Sequence, residues 1–196
     1  PDDVMSKGGL RAGDVLLLTK PIGTGTLFAA HAKLAAKGRW IDSALASMMQ
    51  SNKDAAQCLR RYGSRACTDV TGFGLLGHLV EMTRPSGVDA ELDLTAIPIL
   101  PGAEETAAAG ILSSLQPANI RLRRGIRGQE KWVNHPRYPL IFDPQTAGGL
   151  LASVPADQAD ACISELKAMG YPHTAIIGRV LPQDESGPIE PITLRD

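Results

Sequence analysis

The sequence predicts an α+β domain: a mixed sheet with helices in a three-layer arrangement. Three observations carry this. Strand-length apolar runs such as "DVLLL", "LLASV" and "AIIGRV" are interspersed with helical patterns, without the regular strand–helix repeat of a parallel fold. The stretch "VDAELDLTAI" sets Val88, Ala90, Leu92 and Leu94 against Asp89, Glu91, Asp93 and Thr95, which is a half-buried strand with one wet face. The last third reads strand–helix–strand, half of a split βαβ unit.

The elements follow in order. Arg11 to Gly13 is a turn, and Val15 to Thr19 a buried strand. "PIGTG" is a loop. "TLFAAHAKLAAK" is alanine-rich and helical, with Gly38 as its stop. In a second helix Ile41, Leu45, Met48, Asn52, Ala55 and Leu59 share one face. Asn52 interrupts that apolar stripe, so its amide either ties down a neighbouring loop or faces a ligand. "RACTDV" is a short strand, "TGFG" a turn and "LLGHLVEM" a helix; "GAEETAAAGIL" is another helix. From Gln116 to Arg137 the pattern dissolves into a basic segment with Arg121, Arg123, Arg124, Arg127 and Lys131, expected to be a solvated, mobile loop or a phosphate contact. "YPLIFDPQTAGGLLASVP" reads as strand, glycine turn, strand; "ADQADACISELKAMG" is a helix and "HTAIIGRVL" a strand. The proline-rich end carries at most a short strand. The expected division is a linker or remnant at 1–12, one domain at 13–182 and a tail at 183–196.

Bulk properties narrow the function. The chain has 196 residues, 43% of them hydrophobic and 21% charged, enough for one domain with a sizeable core. Its 20 basic and 21 acidic residues nearly cancel, so neither nucleic acid nor a membrane surface is the default partner. No apolar run approaches a membrane span, and no signal peptide opens the chain. The start lacks an initiator Met, which suggests a piece of a longer protein or a processed one. Three widely spaced cysteines, Cys58, Cys67 and Cys162, form no CxxC pair. They read as small buried hydrophobes in a reducing, cytoplasmic compartment.

Three motifs can carry chemistry. Asp69 lies between a strand and a glycine-rich turn entering a helix. It suits a capping residue for the following turn, or a hard oxygen ligand to Mg2+ near a phosphate. Gly72 and Gly74 let the backbone approach such a group. In "DPQTAGG", Asp143 is read as bonding local amides in a structured turn. "KPIGTG" lacks the spacing of a Walker A loop, and Lys20 is read as a surface lysine that could touch phosphate. His31, His78, His135 and His173 show no ligand spacing; His78 shares a helix face with Leu75 and Met82, as a partly buried, satisfied histidine does. Cys67, two residues before Asp69, has only a remote claim to be a nucleophile.

In order and spacing, "RAGDVLLLTKPIGTG", "ACTDVTGFGLLGHLVEM", "DPQTAGGLLASV" and "AIIGRV" resemble the selenophosphate synthetase family, within the wider superfamily of aminoimidazole ribonucleotide synthetase. The resemblance runs from about Arg11 to Val180 and matches only the family's C-terminal domain. It implies a full-length, dimeric enzyme that converts selenide, ATP and water to selenophosphate, AMP and phosphate with Mg2+. It also implies that Asp69 is a metal ligand. The family's catalytic cysteine (or selenocysteine), its lysine and most of its metal-binding aspartates belong to an N-terminal segment with no counterpart here. Cys67 and Lys20 do not match them, so no catalytic residue is expected in this chain and the chain alone is expected to be inactive. A related ATP enzyme of the aminoimidazole ribonucleotide synthetase or hydrogenase-maturation type, or a non-catalytic binding module, is the alternative.

Overall fold

A computed structural model describes residues 5–187 and 189–196. The strands are β1 (Asp14–Leu18), β2 (Cys67–Asp69), β3 (Val88–Asp93), β4 (Leu150–Pro155), β5 (Ala175–Pro182) and β6 (Ile192–Arg195). They form one mixed sheet in the order β2-β4-β1-β5-β3-β6. β4 and β5 flank β1 and are both antiparallel to it, so they run parallel to each other with one strand between. The helix that joins them, α7 (Ala159–Ala168), completes the split strand–helix–strand unit.

Strand alternation divides the core into two. Leu16 and Leu18 point to one face and Leu17 to the other. On the first face, Leu16, Leu18, Leu92, Leu151, Ile177 and Leu194 pack under α1 (Thr24–Ala32), α2 (Gly38–Met49), α4 (Gly74–Ser86) and α5 (Ala103–Ala108). On the second, Leu17, Leu150, Ala152 and Val154 meet α3 (Lys53–Arg61) and α7 through Ala55, Cys58, Leu59, Cys162 and Leu166. Helices on both faces of a sheet make the three layers. Where no helix covers the second face, β3 presents Glu91 and Asp93 to Arg179 and Arg195 as ion pairs.

Several elements differ from the sequence expectation. α1 ends at Ala32, well before Gly38, which instead opens α2. The end is closed by Leu34 N–H to His31 O (2.9 Å) and Ala35 N–H to Ala30 O (2.9 Å), a Schellman cap. Leu34 takes its left-handed position (φ 55°), which usually belongs to glycine, so the sequence hides the stop. The single second helix is two. Ile41 of α2 lies in the first core and Ala55 and Leu59 of α3 in the second, so the chain must cross from one face to the other. Leu45 is left 43% exposed. The crossing is held by Lys20 Nζ on Gln50 O (2.6 Å) and Tyr171 OH on Ser51 O (2.6 Å).

"YPLIF" is a 3-10 helix, Tyr138–Phe142, not a strand. Pro139 has no N–H for a sheet ladder, and the tight turn still buries Leu140, Ile141 and Phe142 completely. The basic segment has a short helix, α6 (Gln116–Asn119), and 3-10 turns at Ile120–Gly125 and Gln129–Lys131. Arg121, Arg123, Arg124 and Lys131 are solvent-exposed, as expected, but two other arginines tie the segment down. Arg127 pairs with Asp89 (2.6 Å) and donates to Glu190 O (2.6 Å). Arg137 pairs with Glu104 (2.5 Å) and reaches the carbonyls of Leu94, Thr95 and Ile97. At the end of the chain β6 adds to the sheet edge parallel to β3, burying Ile192 and Leu194.

Candidate functional site

Three glycine-containing segments meet at one end of β1, β2 and β4. They are the loop Lys20–Thr26 after β1, the segment Asp69–Gly74 from β2 into α4, and the turn Asp143–Gly149 before β4. Gln145 is the hub. Its Oε1 accepts from Gly23 N–H (2.9 Å), Thr24 N–H (3.2 Å) and the Thr24 hydroxyl (3.1 Å). Its Nε2 donates to Asp143 O (2.8 Å) and Asp143 Oδ2 (2.9 Å). Its main-chain N–H donates to Thr71 O (3.0 Å), tying the first and third segments to the second. Thr26 donates to Asp143 Oδ1 (2.8 Å), and Thr146 N–H to Thr24 Oγ1 (3.0 Å). Asn119 closes the far side by donating to Gly72 O (2.7 Å) and Phe142 O (3.1 Å).

The approach is too close for side chains. A Cβ on Gly148 would stand 2.2 Å from Val70 O, so the turn can lie against β2 only as glycine. Gly74 adopts φ +71°, and a Cβ there would meet the Phe142 main chain at 2.8 Å. These two contacts explain why the motifs are glycine-rich without any ligand.

Electrostatics separates the candidates. Asp143 is fully buried, and burial raises its carboxyl to about 6 although Thr26 and Gln145 donate to it. Its bonds reach Thr26, far along the chain, and are not confined to its own turn. Lys20 is not a surface residue: it is 1% exposed, and its ammonium donates to Gln50 O (2.6 Å) and Ala147 O (3.1 Å). Burial lowers its pKa. It staples the α2–α3 crossing to the Asp143–Gly149 turn. Asn52 does the same beside it, donating to Gly148 O (2.9 Å), which is the loop-tying role. Cys67 is buried and its thiol is pushed up to about 12 by burial, which removes the thiolate a nucleophile requires. His78 is buried and engaged, as its helix face suggested.

Asp69 is the exception in this locked group. It closes β2 opposite Leu150 and is exposed. It does not cap α4. The residue at that N-cap is Phe73, and no side chain caps the helix. Neither a hydrogen bond nor an ion pair ties the Asp69 carboxylate to another described residue. A free carboxylate can give one hard oxygen to a divalent cation. Among the described residues no group of three or more His, Cys, Asp or Glu could hold a metal ion. The chain therefore offers one corner of a cation site and not a whole one.

Sequence reasoning missed Gln145, Thr24 and Asn119. Gln145 and Thr24 sit inside motifs already singled out, and a polar residue between Pro144 and two glycines is a usable signal. Asn119 lies in a stretch without pattern and offered none.

Comparison with known proteins follows the same lines. Residues 11–189 match the family described as AIR synthase related protein, C-terminal domain. The chain is 38% identical over 188 residues to selenide, water dikinase 2 of Peptoclostridium acidaminophilum, covering 94% of this chain and 53% of that protein. It is 39% identical over 194 residues to selenide, water dikinase of Treponema denticola, with the same coverage of 94% and 53%. The chain thus spans about half the length of the curated relatives it matches. Among solved structures, the hydrogenase maturation protein HypE in complex with ATP superposes with a TM-score of 0.71 at 18% identity, over 99% of this chain and 50% of that one. Thiamine-monophosphate kinase from Stenotrophomonas maltophilia superposes with a TM-score of 0.66 at 17% identity, over 98% and 53%. At such identities these two structures bear on the fold alone.

Proposed function

The chain belongs to the AIR synthase related family, in its C-terminal domain, and from that premise we propose that it is the C-terminal half of a selenophosphate synthetase. The parent enzyme turns selenide, ATP and water into selenophosphate, AMP and phosphate. This half adds the Asp69 carboxylate to a Mg2+–ATP site whose other ligands come from the N-terminal half. The observation that carries the reading is the contrast at the three-segment junction: of its two carboxylates, Asp143 is buried and bonded inward, whereas Asp69 is exposed and bonded to none of the described residues. Identities of 38% and 39% to selenide, water dikinases support this substrate class.

The residues present do not fit a complete magnesium site. Mg2+ demands near-octahedral oxygen coordination, and one exposed carboxylate cannot supply it. What this chain does itself is hold one charge at a fixed point, on a strand end locked by Gln145 and by Gly148. Residues 1–12 act as the connection to the N-terminal half. In keeping with that role, Ser6 bridges to Ala66 beside β2, and Leu10 is buried. The parent is expected to be a homodimer of the cytoplasm.

The test is the chain by itself. Titrated with Mg2+–ATP in the presence of selenide, it is expected to show at most weak heat of binding and no AMP. Steady formation of AMP by the 196-residue chain would refute its dependence on a second half.

A further inference from the structure

His78 lies about one helical turn beyond the Asp69–Gly74 segment and is 3% exposed. Its Nε2 accepts the Thr71 main-chain N–H at 3.1 Å and stands 3.1 Å from Thr71 Oγ1. An amide can only donate, so Nε2 must carry a lone pair. The ring is then neutral, with its proton on Nδ1. Nδ1 lies 3.3 Å from Glu81 Oε2, in contact but off the hydrogen-bonding direction. Glu81 is in turn paired with Lys7 (2.7 Å). The Phe73 ring tilts over the imidazole at a centroid distance of 5.9 Å. Glu81, Lys7 and Asp69 are the charged groups that face it, and burial outweighs them to favour the neutral form.

This arrangement is more than a buried histidine with a partner. Thr71 lies beyond the end of β2 and two residues before the N-cap Phe73, so neither the strand ladder nor the helix supplies its amide with a partner. Thr71 O is secured by Gln145 N–H and Gly74 N–H, both at 3.0 Å. Thr71 N–H is secured by His78 Nε2. Val70 before it is paired to Gly149 O (2.9 Å). The three residues after Asp69 are therefore each held through the main chain: Val70 N–H by Gly149, both polar groups of Thr71 by His78, Gln145 and Gly74, and Gly72 O by Asn119.

We propose that His78 is a positioning residue for Asp69: its neutral imidazole clamps the Thr71 amide and so fixes the segment that presents the carboxylate. The proposal rests on the reading of Asp69 as a cation ligand. It assigns His78 no contact with substrate.

The test compares His78→Leu, His78→Gln and Asp69→Ala in the full-length protein that carries this chain. The quantities read are the Mg2+ concentration for half-maximal ATP turnover, kcat and Tm. The terminal amide of glutamine reaches the place of Nε2 and can accept the Thr71 N–H; leucine cannot. His78→Leu is expected to raise the Mg2+ half-saturation about tenfold, as loss of an outer-sphere partner does, with Tm moved by only a few degrees. His78→Gln is expected to stay within about threefold of the parent. If His78→Leu fails to fold, His78→Asn, whose amide ends at the place of Nδ1, is expected to show the same rise. Unchanged Mg2+ dependence in His78→Leu or His78→Asn overturns the proposal, and so does His78→Gln impaired as strongly as either. Asp69→Ala separates the two ideas: full activity there overturns the ligand reading itself, whereas a crippled Asp69→Ala beside an unaffected His78→Leu overturns only the positioning role.

Discussion

Asp143 shows what burial does to one residue. Its carboxyl titrates at about 6 in the fold, against 3.8 for the ordinary group. Between those values the folded chain holds a proton that the unfolded chain has lost, so stability falls as pH rises through about 4 to 6. The difference corresponds to roughly 3 kcal/mol of stability present below that window and absent above it. Urea midpoints measured from pH 4 to 7 are expected to decline across this range, and Asp143→Asn is expected to flatten that part of the profile. An identical decline in the variant would assign it to other groups. Nothing local to Asp143 signals this. "DPQTAGG" announced a turn, and a turn carboxylate is normally wet. The partner that holds Asp143 inside is distant: Thr26, 117 residues earlier in the chain. The burial of Lys20 is hidden for the same reason: its two acceptors are 30 and 127 residues away. Asp69 stood out because strand, aspartate and glycine turn are adjacent in sequence, and only the competing capping role needed the structure to remove it.

Among the elements, those with a clean period were legible: β3 by alternation, α4 and α7 by helical spacing, and the strand–helix–strand of the last third. Those that failed did so where tertiary contacts end or redirect a helix. α1 stops on a left-handed leucine, and the α2–α3 helix pair breaks because its apolar residues serve cores on opposite faces of the sheet. The run "YPLIF" was apolar and of strand length, and such runs do not separate strand from buried turn by period alone. Glycine substitutions report on this scale. Gly148→Ala places a Cβ 2.2 Å from the Val70 carbonyl between the turn and β2. It is expected to cost about 3 kcal/mol, or to prevent folding. Gly38→Ala, where a Cβ meets nothing within 4 Å at the start of α2, is expected to be neutral or to add about 0.5 kcal/mol. Paired urea curves check both. Equal midpoints for the two variants would mean that the turn is not packed against β2 as described.

For the whole molecule, the architecture follows from two cores sharing one sheet, and the site from one end of that sheet. The three motifs are almost wholly consumed in holding each other. Gln145, Lys20, Asn52, Asn119 and Asp143 all point inward, although polar residues among glycines read naturally as ligand contacts. That reading overestimates the number of residues available for chemistry and leaves Asp69 as the outward-facing carboxylate of the group. No helix among the described residues is long and apolar enough to cross a membrane, and the small net charge leaves the protein without a dominant field. The function proposed for the chain is accordingly narrow: it places one carboxylate, and with it completes a site begun elsewhere.

The most direct measurement of that claim is phosphorus NMR of the full-length protein with ATP, Mg2+ and selenide, for the parent and for Asp69→Ala. The parent is expected to accumulate selenophosphate, AMP and phosphate. Asp69→Ala is expected to slow all three by at least about a hundredfold, since loss of a mere outer-sphere partner already costs up to about that much. Selenophosphate appearing at the parental rate in Asp69→Ala would contradict the account.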